Sequence, residues 1–262
     1  MRDGLYPPDE ILKNIEVVFT DIDDTLTRDG LLLPEAFTSI WKLSENGISV
    51  IPVTGRPAGW CDCIIRQWPV KAVIGENGAF AVYIDENKQL QTLVHPSVPE
   101  DDVDERLKAM GEAVLDEVPL ARIAKDQPYR RFDLAIDFAE DPPVLGLDEA
   151  GVIKKVCERM GGVAKISSIH VNAWFGDYNK LAMVQLFAEK QLGLGGGDLT
   201  EKAIFCGDSP NDEPMFGFFP YSFGMANIGK YWELLNNRPG FVTDKPFGYG
   251  FAEVAEKLLS YH

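Results

Sequence analysis

Positive charge is scarce in this chain of 262 residues: 25 lysines and arginines face 41 aspartates and glutamates, a formal net charge of −16. That balance excludes sequence-independent nucleic-acid binding, which needs a basic stripe, and disfavours attraction to an anionic membrane surface. An anionic substrate must therefore be met by local cations or a metal, because the overall field repels it. Long apolar runs are missing too. No stretch approaches membrane-spanning length, and residues 1–14 lack the charged-then-apolar pattern of a signal peptide, so a cytoplasmic protein is expected. Cysteine is sparse, at Cys61, Cys63, Cys157 and Cys206, and one C-x-C pair is a poor basis for zinc; reduced core thiols are expected. The glycine-rich 193–197 segment lacks the spacing and Lys-Ser/Thr of a P-loop and reads as a flexible connector.

What remains is ordinary globular material, 45% apolar and 25% charged, long enough for one large domain or two modest ones. The stretch around which it is organised is 16–27. Val17, Val18 and Phe19 form a short apolar run that suits a buried strand. It ends in three carboxylates within four residues, Asp21, Asp23 and Asp24, followed by Thr25. On an extended chain Asp21 and Asp23 leave the same edge of the backbone. Carboxylates held so close repel unless a cation lies between them or one takes a proton; a hard divalent ion, Mg²⁺, resolves this with oxygen ligands.

Along the chain the pattern repeats. Pro34 opens a predicted helix over 34–46, with Ala36, Phe37, Ile40, Trp41 and Leu43 as its apolar stripe and Gly47 as its stop. A strand over 48–53 runs into Thr54-Gly55-Arg56-Pro57, then come a helix over 59–67, a strand at 72–74, the Asn77-Gly78 turn, and a hairpin over 80–94. Strand, polar turn, helix, strand is the rhythm of a parallel α/β sheet, whose ligands gather outside the carboxyl ends of the strands. From about 96 to 175 the rhythm breaks. Helices are expected over 101–118 and 148–160, and a half-buried antiparallel strand over 131–138, with further strands at 163–166 and 169–174. This looks like a separate α+β domain. The first rhythm resumes with a helix over 180–191, a strand at 203–206 ending in Gly207-Asp208-Ser209-Pro210-Asn211-Asp212, short strands near 221–226 and 241–243, and a terminal helix over 251–259.

Four polar clusters thus fall at strand ends or helix starts: Asp21/Asp23, Thr54, Lys180 and Asp208/Asp212. Singly, each has a plainer reading as a turn, a helix cap or a solvated lysine. Together they suit phosphoryl transfer through an aspartyl-phosphate. Asp21 is the candidate nucleophile, and Asp23 the acid/base that protonates the leaving alkoxide and then activates water. Mg²⁺ is expected on Asp21, Asp208 and the main-chain carbonyl of Asp23. Thr54 and Lys180 offer a hydroxyl and a cation to the phosphate, and Asp212 a partner to Lys180 or a metal-bound water.

In this order the motifs resemble those of the haloacid dehalogenase (HAD) superfamily phosphatases of the Cof/sugar-phosphatase-like branch. D-x-D-x-T matches Asp21 to Thr25, T-G-R matches Thr54 to Arg56, the helix-opening lysine matches Lys180, and G-D-x-x-N-D matches Gly207 to Asp212; Asn77-Gly78-Ala79 resembles that branch's N-G-A turn. The resemblance implies a Rossmann-like core with a parallel sheet over 1–95 and 176–262, and an inserted α+β cap over 96–175 that reads the substrate. It also places Gly55, Asn211 and Asp212 around the phosphate. Leu181 and Ser209-Pro210 stand where the branch often has glycine, so altered loop geometry with intact chemistry is expected. An acid at Asp23 points to phosphate esters and away from carbon–halogen bonds. Arg130, Arg131, His170 and Asn172 are the cap's candidate substrate contacts; Trp174 shares a strand face with the last two and suits either sugar stacking or a place as a cap-core or hinge aromatic. A small phosphorylated metabolite, with a sugar phosphate favoured, is the expected partner. Alternatives are a phosphomutase on the same core and a non-catalytic phospho-aspartate switch, while composition leaves the oligomeric state open.

Overall fold

The computed structural model describes residues 6–167 and 169–262; residues 1–5 of the expected core segment and Ser168 of the expected cap segment lie outside the described residues. Five strands form a parallel sheet in the order Phe241–Val242, Ser222–Gly224, Ala203–Gly207, Val17–Thr20, Ser49–Pro52. The strand that leads into the aspartates is therefore interior and buried on both faces. Successive side chains on a strand point to opposite faces. Val18 accordingly packs with Ile40, Leu43, Ile64, Phe251 and Leu258 from the helices Pro34–Glu45, Ala58–Gln67 and Phe247–Leu259. Val17 and Phe19 pack on the other side with Met183, Phe187, Met215 and Phe216 from Lys180–Phe187 and Glu213–Phe218. Continuous apolar runs, where an antiparallel strand would alternate, follow from this two-sided burial.

Beyond Ser49–Pro52 the sheet continues through a parallel bridge between Val53 and Ile74 into Ala72–Gly75, Phe80–Ile84 and Leu90–Val94, paired antiparallel. Between this hairpin and Lys180 lies a second unit with its own core. Its antiparallel sheet runs Val163–Ile166, His170–Trp174, Asp133–Asp137, Arg122–Ile123. The helices Val103–Glu117 and Leu147–Arg159 cover one face, with Met110, Val114, Ile153 and Val156 against Leu134, Ile136, Val171 and Ala173. The opposite face presents Asp133, His170, Asn172 and Trp174 toward the parallel sheet's crevice.

That placement corrects one expectation. The polar/apolar alternation over 131–138 predicts a half-buried strand, but Asp133–Asp137 is buried at every position because the polar face is covered by the parallel-sheet unit. Four smaller differences are seen. Trp41 is exposed although it falls on the predicted stripe, the irregular connector is followed by a short helix, Gly197–Lys202, Arg122–Ile123 forms a short strand no pattern marked, and the terminal helix begins ahead of Phe251. Cys61 is buried and Cys63 exposed on one helix, so the C-x-C pair does not converge, and all four cysteines are free. Among the described residues no helix is long and apolar enough to cross a membrane.

Candidate active site

The first and fourth motifs meet because their strands are hydrogen-bonded neighbours in register, Thr20 opposite Cys206. Asp21 and Asp208 each follow one of these strands at its carboxyl end, and the Asp21 amide donates to the Cys206 carbonyl at 2.8 Å. Asp21, Asp208 and Asp212 each bring a carboxylate oxygen within 4.8 Å of the others, all buried. Three carboxylates packed this tightly are unstable without cations.

Lys180 supplies one. Its helix starts where it does because Asn179 caps it, accepting from the Ala182 amide at 3.0 Å. A cation in a first helical turn opposes the helix dipole, but here the ammonium donates to Asp21 Oδ1 at 2.8 Å and Asp212 Oδ1 at 2.7 Å. Burial works against the Lys180 charge, yet the two carboxylates hold its pKa above the ordinary value. Asp212 uses its second oxygen for the amides of Asp208 at 3.1 Å and Ser209 at 3.4 Å. The Asn77-Gly78 turn presses on the same helix start. Gly78 has φ +104°, and a Cβ there would lie 2.2 Å from the Asn179 carbonyl oxygen, so backbone contact with the lysine's turn requires glycine.

The remaining negative charge is unbalanced. Burial raises the Asp21 pKa to about 8 despite Lys180, with Asp212 and Asp23 adding to the rise, and burial raises that of Asp208 well above its ordinary value. Asp208 Oδ2 accepts from Asn227 Nδ2 at 2.9 Å, whereas Oδ1 is buried with no hydrogen-bond partner. A buried, unpartnered carboxylate oxygen beside a second carboxylate is the donor set of a hard divalent cation, so the residues present fit Mg²⁺. Asn227 also donates to the Asp24 carbonyl at 3.0 Å, tying this site to the turn after the nucleophile; no sequence motif marked it.

Thr54 is fully buried, and its Oγ accepts from the Arg56 amide at 3.0 Å. Gly55, Asn211, His170 and Asn172 line the crevice with Asp21 and Asp23, which encloses a cavity of only about 20 Å³. That is space for about one water molecule, so the second unit stands closed over the site. A larger cavity of about 700 Å³ adjoins it through Asn211, bordered by Lys154, Lys165 and Tyr231. The departures from the motif pattern leave the reacting groups in place: Ser209 Oγ donates to Asn211 Oδ1 at 2.6 Å and Pro210 opens the single turn Pro210–Asp212.

Two of the four candidate substrate contacts are corrected. Arg130 spends its donors on the protein itself: its buried guanidinium binds Asp126, Asp133 Oδ1 at 2.9 Å and the Gly55 carbonyl at 2.8 Å. Arg131 is exposed, lies ahead of the strand, and its guanidinium sits 5.2 Å from the Phe132 ring centre. Asn172 does reach the crevice, donating to Asp133 Oδ2 at 3.1 Å, and His170 Nε2 lies 2.9 Å from Glu140 Oε2. Trp174 is buried in the core, stacked on Tyr178 with its Nε1 donating to the Tyr178 carbonyl at 3.2 Å, and so has no open face for a sugar.

Three groups have partners that the sequence reading did not assign. Arg56 grips Asp23 through Nε at 3.1 and 3.0 Å and Nη2 at 2.9 Å, and reaches Glu140 Oε1 through Nη1 at 2.9 Å. Glu140 has no local signal at all. Glu76, just before the Asn77-Gly78 turn, accepts the amides of Ala58, Arg131, Phe132 and Asp133, clasping the first strand of the upper unit's polar face. Burial and Asp133 raise its pKa to about 7 against those amide donors.

A model of the haloacid dehalogenase-like hydrolases matches residues 18–118, which contain the first two clusters and the Asn77-Gly78 turn. Solved structures agree over nearly the whole chain. A Thermoplasma acidophilum protein superposes with a TM-score of 0.70 at 19% identity, covering 95% of this chain and 99% of its own. A sugar phosphatase of HAD subclass IIB superposes at 0.63 and 12% identity, covering 92% and 98%. A phosphatase of the HAD superfamily from Bacteroides thetaiotaomicron does so at 0.62 and 19%, covering 99% and 100%.

Proposed function

We propose that this chain is a haloacid dehalogenase-like hydrolase, a reading supported by the family model over residues 18–118 and by the fold around it, and that it acts as a phosphomonoesterase through an aspartyl-phosphate on Asp21. The observation that carries this is the Asp21 carboxylate held by Lys180 against Asp212, beside a buried Asp208 oxygen that lacks a partner. Asp21 and Asp208, with the Asp23 carbonyl, would hold Mg²⁺. The ion, when bound, neutralises charge between nucleophile and phosphate.

The chain's own groups account for the rest. The Asp21 carboxylate attacks phosphorus, and Lys180, already 2.8 Å from that carboxylate, shares its donors with the phosphate oxygens. Asp23 gives a proton to the departing alkoxide and then takes one from the water that cleaves the acyl-phosphate. Thr54, Gly55 and Asn211 lie around the phosphate. Residues 96–175 act as the cap, which must lift to admit an ester, since the closed crevice holds little more than a water. His170 and Asn172 face the leaving group, and the adjoining cavity has room for a sugar-sized one. The substrate is a small phosphorylated metabolite, with a sugar phosphate favoured by the polar cap face and by the named activity of one structural relative.

Phosphate release from a panel of phosphorylated metabolites, with Mg²⁺ and with EDTA, tests this reading. Release from one sugar phosphate well above the rest, lost in EDTA, supports it. Isomerised sugar phosphate without free phosphate, or a long-lived phospho-protein without turnover, replaces hydrolysis by a mutase or a switch.

A further inference from the structure

We propose that Glu140 is a positioning residue for proton transfer by Asp23, acting through Arg56; this rests on the phosphatase reading above. Arg56 is shared between the two units. One edge of its guanidinium holds both oxygens of Asp23, and Nη1 reaches across to Glu140 at 2.9 Å. Glu140 is fixed in turn by His170 at 2.9 Å, and its backbone amide donates to Asp137 Oδ1 at 2.8 Å. The Trp60 ring lies 4.3 Å from the guanidinium carbon, and Asp126 is 3.8 Å from Nη1.

A guanidinium is a rigid plane, so its two edges cannot be turned independently. With Trp60 against one face, the plane is free mainly to rotate within itself, and Glu140 sets that rotation. Glu140 and His170 belong to the upper unit and depart with it when the crevice opens. Arg56 then loses its far anchor, and the Asp23 carboxyl loses the orientation that the closed form imposes. Closure is thereby reported to the acid/base without Glu140 touching Asp23, the substrate or the phosphate. A merely structural ion pair between the units would instead affect every substrate alike.

The test exploits leaving groups. Wild type, Glu140→Ala and Glu140→Gln are assayed with Mg²⁺ on p-nitrophenyl phosphate, whose phenolate departs without a proton, and on alkyl phosphates, whose alkoxide needs one. Positioned general acids contribute about 10²- to 10⁴-fold. Glu140→Ala is expected to lose at least about tenfold in kcat/KM, which reports the steps up to departure of the leaving group and before water enters, on alkyl phosphates while staying within about twofold of wild type on the aryl ester. Glu140→Gln, whose amide oxygen still accepts from Nη1, is expected to restore most of the loss. Thermal unfolding of both variants checks the fold. Equal losses on both ester classes, or none on either, overturn the proposal and leave the phosphatase reading standing. A wild type inactive on all esters overturns both.

Discussion

Replacing Lys180 by methionine keeps the volume of the side chain and removes its charge. The ammonium is 2% exposed and sits 2.8 Å from Asp21 and 2.7 Å from Asp212, with Asp208 in the same cluster. Breaking a buried ion pair from one side costs about 3–5 kcal/mol, because the partner charge is left without compensation. Two carboxylates lose their partner here, so the upper part of that range is expected, a large share of the roughly 5–15 kcal/mol that holds a domain folded. A divalent ion at about a hundredfold its Kd adds about 2.7 kcal/mol to any protein that binds it only when folded. In Lys180→Met the charge that Lys180 offered Asp21 must come from the ion, so Mg²⁺ is expected to restore more stability to the variant than it adds to wild type. Urea unfolding in EDTA and in Mg²⁺ measures both quantities. A variant within about 1 kcal/mol of wild type in EDTA refutes the charge accounting of the site.

Asp21→Asn is expected to abolish phosphate release while leaving the unfolding midpoint close to that of wild type; full activity sinks the nucleophile assignment. Gly78→Ala drives a Cβ into the Asn179 carbonyl at 2.2 Å from a left-handed backbone, so a loss of about 2–4 kcal/mol in urea unfolding is expected. Arg130→Met strips a buried cation from Asp133 and Asp126 and is expected to cost about 3–5 kcal/mol, whereas exposed Arg131→Ala stays within about 0.5 kcal/mol. Glu76 has a folded pKa of about 7, above its ordinary 4.5, so the native state binds its proton more tightly than the unfolded chain. Its contribution is present in full below about pH 4.5 and is lost as pH rises through about 7; the stability difference between wild type and Glu76→Gln across pH 4–8 reads it, and a flat difference contradicts it.

Chain-local chemistry carried much of this protein. A β-branched strand ending in acids, Pro34 before a helical stripe, Gly47 after it, and a lysine following Asn179 each specify a local element or its boundary whatever the remote neighbours are. Because parallel strands bring their carboxyl ends to one edge, the same local readings also placed Asp21, Thr54 and Asp208 in one crevice. Where local pattern misled, a remote surface had changed the meaning of a residue. Alternation over 131–138 is genuine, yet its polar face is covered; Arg130 and Arg131 are adjacent and equally charged, but one meets the Gly55 carbonyl and the other meets solvent.

The sequence by itself determined which groups could do chemistry and at which ends of which strands they stand, because strand periodicity and turn chemistry are set within a few residues. The closure of the upper unit over the crevice, the sharing of Arg56 between Asp23 and Glu140, and the clasp of Glu76 on the 131–133 amides were decided only by tertiary structure. Each joins positions 33 to 84 residues apart, and no local preference of Glu76, Arg56 or Glu140 encodes such a partner.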